Sequence, residues 1–182
     1  MSKLIMWNLM TLDGYFEGPN RDISWLEDVW GEELESLSIE QGQAAGALIF
    51  GRVTYELMAN YWPTATGAVA DFMNTLPKIV FSRTIEKSDW SNTQFVHDNA
   101  ADNVARLKRQ TENDIYLFGS ANLAASLIPA ALFDEFRIGV TPHLLGGGKP
   151  LFETGPVMQR LRLLETRNLS NGVVIMRYAP AA

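Results

Sequence analysis

"DIYLFGSANLAASLIP", residues 114–129, holds a strand, a turn and a helix in one short stretch. Ile115 to Phe118 form an apolar run of the length and composition that suit a buried strand. Gly119 and Ser120 turn the chain, and "ANLAASLI" then carries helical spacing up to Pro129, which cannot continue a helix. A strand that feeds directly into a helix is the building unit of a parallel sheet, because parallel strands need a crossover connection.

The same unit recurs on both sides of this stretch. "GALIFGR", residues 46–52, predicts a short buried strand, and "VTYELMANYW" continues as a helix stopped near Pro63. A further helix is expected over Ala68 to Leu76, ended by Pro77. "KIVFS" and "TQFVH" are strand-like, and Ala100, Val104 and Leu107 mark a helix across "AADNVARLKRQ". Upstream, Lys3 to Met10 predicts a buried first strand, followed by the loop "LDGYFEGPNRD". Ser24 and Glu27 form a capping-box pattern, and Leu26, Trp30, Leu34 and Leu37 behind it predict a helix with one buried face. Downstream, "LFDEFRIGVTP" predicts another strand. "RLRLLETRNL" and "VVIMRY" flank Ser170-Asn171-Gly172, a strong hairpin signal. The expectation is an α/β fold with a largely parallel sheet, helices over it, and an antiparallel hairpin at one edge.

At 182 residues the chain is expected to form a single domain, 1–182, with disorder confined to the terminal "APAA". Fifteen basic against 21 acidic residues, a net charge of −6, argue against general nucleic-acid or anionic-membrane binding. The absence of cysteine excludes disulfides and thiolate chemistry. His97 and His143 are the only histidines and lack metal-ligand spacing, so no metal is expected. His97 is expected to end a strand at the surface and His143 to be structural. With no signal-peptide pattern and no long apolar run, the expected location is the cytoplasm.

In open sheets of this kind, ligands bind beyond the carboxyl ends of the strands. Three such ends carry suitable groups. In "FGRVT", Gly51 lets backbone approach a ligand, Arg52 adds a guanidinium fork and Thr54 a hydroxyl at a helix start, a set suited to phosphate. The alternative is a tight turn with a surface Arg and a capping Thr. In "FSRT", Ser82 and Arg83 suit a second phosphate, against the alternative of an ordinary polar loop. In "FGSAN", Gly119 to Asn122 lie where a buried strand turns into a helix, suited to a pyrophosphate or simply to a capped glycine turn. The G-x-G-x-x-G fingerprint is absent. "PHLLGGGKPLF", residues 142–152, imitates a phosphate loop but is not one. The position five before Gly148 is His143, and Lys149 is followed by Pro150 rather than Ser or Thr. It is expected to be a turn with Lys149 solvated.

"LMTLDGYFEGP", "LIFGRVTYE", "KIVFSRT", "IYLFGSANLAASLI" and "DEFRIGVTPHLLGGGKPLFE" occur in this order. Together they resemble the dihydrofolate reductase-like superfamily. The branch they resemble includes the C-terminal reductase domain of the riboflavin-biosynthesis deaminase/reductase, and the likeness spans essentially the whole chain.

The resemblance implies a three-layer fold with a mixed, mostly parallel sheet of about eight strands, and NADPH as hydride donor. By motif, Gly51, Arg52 and Thr54 would hold the cofactor's diphosphate side, Ser82 and Arg83 the adenosine 2′-phosphate, and Gly119, Ser120, Ala121 and Asn122 the diphosphate from the opposite strand end. Thr11, Asp13 and Gly14 would lie in the loop over the nicotinamide. True dihydrofolate reductases carry a carboxylate on the first long helix shortly after a Trp; counted from Trp25, that place is taken by Trp30. Glu27, Asp28, Glu32 and Glu33 are expected to form a solvated helix face, so the catalytic residue is unassigned. The implied activity is reduction of a small heterocyclic (pterin- or pyrimidine-like) or carbonyl/imine substrate. Trp7, Phe16, Trp25 and Trp62 are the expected apolar walls of its pocket. The alternative is a non-catalytic nucleotide-binding module. The hairpin and the Phe136 strand are candidates for pairing in a homodimer.

Overall fold

A computed structural model describes residues 1–152 and 158–181. In chain order the elements are β1 (Leu4–Thr11), β2 (Tyr15–Glu17), α1 (Glu32–Ala44), β3 (Ala45–Gly51), α2 (Arg52–Tyr61), α3 (Ala68–Thr75), β4 (Lys78–Phe81) and β5 (Thr93–Val96). They continue with α4 (Ala100–Gln110), β6 (Asp114–Phe118), α5 (Ala121–Leu127), β7 (Glu135–Thr141), β8 (Lys149–Pro150), β9 (Leu161–Asn168) and β10 (Val174–Pro180). Eight strands form one sheet in the order β5-β4-β3-β6-β1-β7-β10-β9. The pairings from β5 to β7 are parallel, and β10 is antiparallel to both β7 and β9. The βα units and the C-terminal hairpin thus take the expected form. β2 and β8 pair separately.

Both faces of the sheet are covered, so the central strands are apolar on successive residues rather than alternating. Ile5, Trp7, Leu48, Phe50 and Tyr116 pack with Leu34 of α1 and Val69 and Met73 of α3. Leu4, Met6, Ile49 and Leu117 pack on the other face with Val104 of α4 and Leu123 and Leu127 of α5. The result is the three-layer arrangement. Among the described residues, no helix is long and apolar enough to cross a membrane.

The stretch before α1 differs from its reading. The helix does not begin at Ser24: Ser24–Leu26 is a single 3-10 turn without a side-chain cap, and α1 starts at Glu32 behind the extended Gly31. Glycine is a poor helix former, and here it divides one apolar periodicity into two pieces. Trp30 is consequently 48% exposed rather than buried on a helix face. Glu33 stays partly exposed but also has a structural partner, since its carboxylate accepts the Ser170 N–H at 2.7 Å and joins α1 to the hairpin turn.

The chain end is more ordered than composition suggests. Ala179 and Pro180 pair with Arg162 and Leu161, and the Ala181 N–H donates to the Arg160 carbonyl. Ala182, the last residue of the expected disordered tail, and Glu153, the last of the quoted motif, lie outside the described residues. Phe136 does not lie on an edge: β7 is paired on both sides, by β1 and β10. The strand with a free edge at this end is β9, all of whose residues are exposed.

Candidate functional site

Because β3, β6 and β1 run parallel and adjacent, their carboxyl ends meet on one side of the sheet. There the β3–α2 and β6–α5 turns lock together. The Gly51 N–H donates to Ser120 Oγ at 2.7 Å, and the Ser120 N–H donates to Thr54 Oγ1 at 2.9 Å. From β1, Asn8 accepts the Gly119 N–H at 2.7 Å. Gly119 has φ +56, and a Cβ there would stand 2.8 Å from Thr54 Oγ1 and Cγ2. Glycine is required both for the left-handed backbone and for this approach. Ser120 follows at φ 59, and α5 begins immediately behind it with Ala121 and Asn122 in its first turn. Sequence reasoning therefore brought together residues that do meet, although several of their polar groups are spent on one another.

Beside this junction opens a cleft of about 760 Å³. It is bordered by Trp7, Asn8 and Leu9 of β1, by Val53 to Asn60 of α2, and by Phe118 and Gly119. Trp62, Val69, Phe72 and Met73 close another wall, with Phe16, Ile23, Leu26 and Trp30 from the segment that follows β1. Of the expected wall residues, Trp7, Phe16 and Trp62 border the cleft. Trp25 does not; it is buried elsewhere, with its ring centroid 6.0 Å from that of His143.

The remaining predicted residues lie around this centre. Arg52 opens α2, and its guanidinium pairs with Glu56 one turn later at 3.0 Å. Ser82 and Arg83 follow β4, the neighbour of β3. The Ser82 hydroxyl accepts the Thr84 and Ile85 N–H groups at 3.2 and 3.0 Å, shaping a turn from which Arg83 projects into solvent. Asn122 accepts a hydrogen bond from Lys149, so Lys149 is not simply solvated: it joins the loop of residues 142–152 to α5.

Thr11, Asp13 and Gly14 do not border the cleft. The Thr11 hydroxyl donates to Asp13 at 2.5 Å, and the Asp13 carboxylate accepts the Leu145 and Gly146 N–H groups at 3.1 and 2.8 Å. The Thr11 hydroxyl first, and then the Gly146 N–H, hold the Asp13 carboxyl below the usual carboxylate range. This carboxylate fastens two loops. His97 ends β5 at the surface with Nδ1 2.8 Å from the Ser82 carbonyl. His143 has Nδ1 3.1 Å from Thr141 Oγ1 and Nε2 3.5 Å from Asp28. Among the described residues, no cluster of His, Asp and Glu is suited to a metal ion.

Two features of the site were not singled out in the sequence. Asn8 borders the cleft and is 6% exposed, and among the described residues its buried Nδ2 has no hydrogen-bond partner. A lone amide in the otherwise apolar "LIMWNLM" was the available signal. The other is a second cavity, of about 300 Å³, that shares Trp7 with the cleft. It contains Arg137 and Arg177, which both pair with the buried Glu135, and Arg177 also pairs with Glu165.

Residues 2–175 match the RibD C-terminal domain. The chain belongs to that family. The uncharacterised YyaP protein of Bacillus subtilis (strain 168) is 30% identical over 181 residues, covering 97% of this chain and 94% of YyaP. A solved structure from Shewanella sp. PV-4, tied by name to riboflavin biosynthesis, superposes with a TM-score of 0.80 at 18% identity, over the full length of both chains. A Thermotoga maritima protein named as a diaminohydroxyphosphoribosylaminopyrimidine deaminase/5-amino-6-(5-phosphoribosylamino)uracil reductase superposes with a TM-score of 0.71 at 12% identity, over 99% of this chain and 57% of its own. The RibD C-terminal fold and the dihydrofolate reductase-like architecture expected from the motifs are thus shared along the whole sheet.

Proposed function

We propose that this chain is an NADPH-dependent reductase that transfers hydride to a small heterocyclic (pterin- or pyrimidine-like) or carbonyl/imine substrate. The observation that carries this reading is the cleft at the carboxyl ends of β3, β6 and β1, bordered by Asn8, Thr54 and Gly119 of the interlocked turns. NADPH, when bound, supplies the hydride. The residues present fit such a cofactor. The first turn of α2 offers N–H groups without helical partners, beside Gly51 and Thr54. Arg83 is exposed and has no hydrogen-bond or ion-pair partner among the described residues, which leaves its guanidinium available to a phosphate. Arg52 reaches one by exchanging Glu56 for it, a small loss for an exposed pair. Gly119, Ser120, Ala121 and Asn122 hold the opposite side, and Thr11, Asp13 and Gly14 act indirectly by fixing the loop that carries Phe16 into the cleft. Trp7, Phe16 and Phe118 exclude water around the reacting rings.

The same reading places the protein in the cytoplasm as a homodimer joined through β9. A second reading, a non-catalytic nucleotide-binding module, is favoured by one observation: no carboxylate of α1 borders the cleft. Titration with NADPH, followed by its fluorescence, tests the cofactor assignment. Sub-millimolar affinity is expected, weakened about tenfold in Arg83→Ala by loss of one charge-assisted contact. Unchanged affinity in both Arg83→Ala and Arg52→Ala would remove it. Oxidation of NADPH in a screen of pterins, pyrimidines and small carbonyl compounds separates the reductase from the module.

A further inference from the structure

We infer that the cleft selects an uncharged, planar, unsaturated ring compound and disfavours substrates bearing a phosphate or another ionised substituent. The inference rests on the reductase reading for the use of the cleft, and its content comes from the walls. The interior is formed by Trp7, Leu9, Leu26, Met58, Trp62 and Phe72. The polar groups among its lining are largely committed: the Ser38 hydroxyl donates to the Leu34 carbonyl, and the Tyr55 hydroxyl donates to Ser88. The donors left without a partner on its lining residues, the buried Asn8 Nδ2 among them, are neutral, and a neutral N–H matches a carbonyl oxygen or ring nitrogen. The charged side chains at the border are two of each sign, Glu17 and Glu56 against Arg21 and Lys87. Arg21 and Lys87 are exposed, and Glu56 is tied to Arg52, so among the described residues no buried cation faces the interior.

An ionised group brought between such walls loses its hydration without gaining a partner. The buried guanidinium groups Arg137 and Arg177 line a separate cavity that shares Trp7 with the cleft, and they are already paired with Glu135 and Glu165. The Thermotoga protein is named for a substrate that carries a phosphoribosyl group. Among the described residues, no buried cation faces the interior of this cleft to meet such a group, and the phosphate-suited groups at its border are those assigned to the cofactor. What its walls offer is aromatic surface and neutral donors, the combination that recognises a flat neutral ring.

A matched pair of rings tests this. Quenching of tryptophan fluorescence is measured with 2-methyl-1,4-naphthoquinone, which is neutral, and with 2-hydroxy-1,4-naphthoquinone, which is ionised at neutral pH; uracil and uridine 5′-monophosphate form a second pair. The neutral member of each pair is expected to bind at least about tenfold more tightly, a difference of about 1.4 kcal/mol. Asn8→Leu is expected to weaken the neutral ring, and Met58→Arg to shift preference toward the ionised one. Equal or tighter binding of the ionised members, or no binding of any ring by a protein that binds NADPH, overturns the inference. Failure to bind NADPH counts against the reductase reading alone, because the ring preference is read without cofactor.

Discussion

At the scale of single residues, two positions govern the site and its support. Gly119 combines φ +56 with a Cβ direction blocked by Thr54 at 2.8 Å. Gly119→Ala is expected to cost about 2 kcal/mol, from left-handed strain and displacement of Thr54, and to weaken NADPH binding with it. Urea denaturation and the NADPH titration check both effects. Glu135 is 1% exposed and accepts from Arg137 at 2.5 Å and Arg177 at 2.6 Å. Burial pushes its carboxyl up, but the hydrogen bonds from Arg177 and Arg137 outweigh burial and hold it below the ordinary value of 4.5. A carboxylate depressed in the folded state contributes stability that is complete above its unfolded value. That stability is lost as pH falls below about 4.5 and through the folded value. Glu135→Gln is therefore expected to lose about 3 kcal/mol at pH 7, at the low end for a buried pair because Arg177 reaches solvent. The gap between variant and wild type is expected to narrow below pH 4.5. Thermal unfolding of both proteins from pH 3.5 to 7 measures it; a gap independent of pH would refute the assignment.

At the scale of elements, the triple glycine shows why composition alone misleads. Gly148 has φ +132, and a Cβ there would lie 2.2 Å from the Glu17 carbonyl oxygen. Its purpose is to let β8 lie against β2, while Asp13 fastens the preceding Leu145 and Gly146. Gly148→Ala is expected to cost about 3 kcal/mol by forcing these strands apart. The loss is expected to appear as faster amide exchange at Tyr15 to Glu17, with the main sheet protected as before. Lys78 is another element-level device. Its ammonium donates to the carbonyls of Met73, Asn74 and Leu76 at 2.9, 3.2 and 2.7 Å, capping α3 from the strand that follows it. Burial lowers its pKa to about 8. The βα units were legible because each pairs an apolar run with a Gly or Pro boundary. The start of α1 was not, because Gly31 interrupts a periodicity that otherwise runs from Leu26 to Leu37.

At the scale of the whole molecule, β9 presents a free strand edge with Leu161, Leu163 and Leu164 between 37% and 50% exposed. Such an edge favours pairing with another strand. For the proposed homodimer, Leu163→Glu is expected to give a monomer in sedimentation, with the fold retained because the side chain is half-exposed. A wild-type protein that sediments only as a monomer would remove the dimer.

What the sequence determined by itself was the order of the main-sheet strands and the helices between them, the parallel core of the sheet and the hairpin, but not the short β2–β8 pair. These follow from local periodicity and from the chemistry of Gly, Pro and Asn-Gly, which act over a few residues. It also marked "FGRVT", "FSRT" and "FGSAN" as strand ends. The tertiary structure alone decided that Gly51 and Thr54 bond to Ser120 and Asn8 to Gly119, since that depends on β3, β6 and β1 being neighbours though far apart in the chain. The same holds for the Asn8 donor left without a partner: whether a buried amide is satisfied is set by what packs around it, which no local stretch of sequence contains.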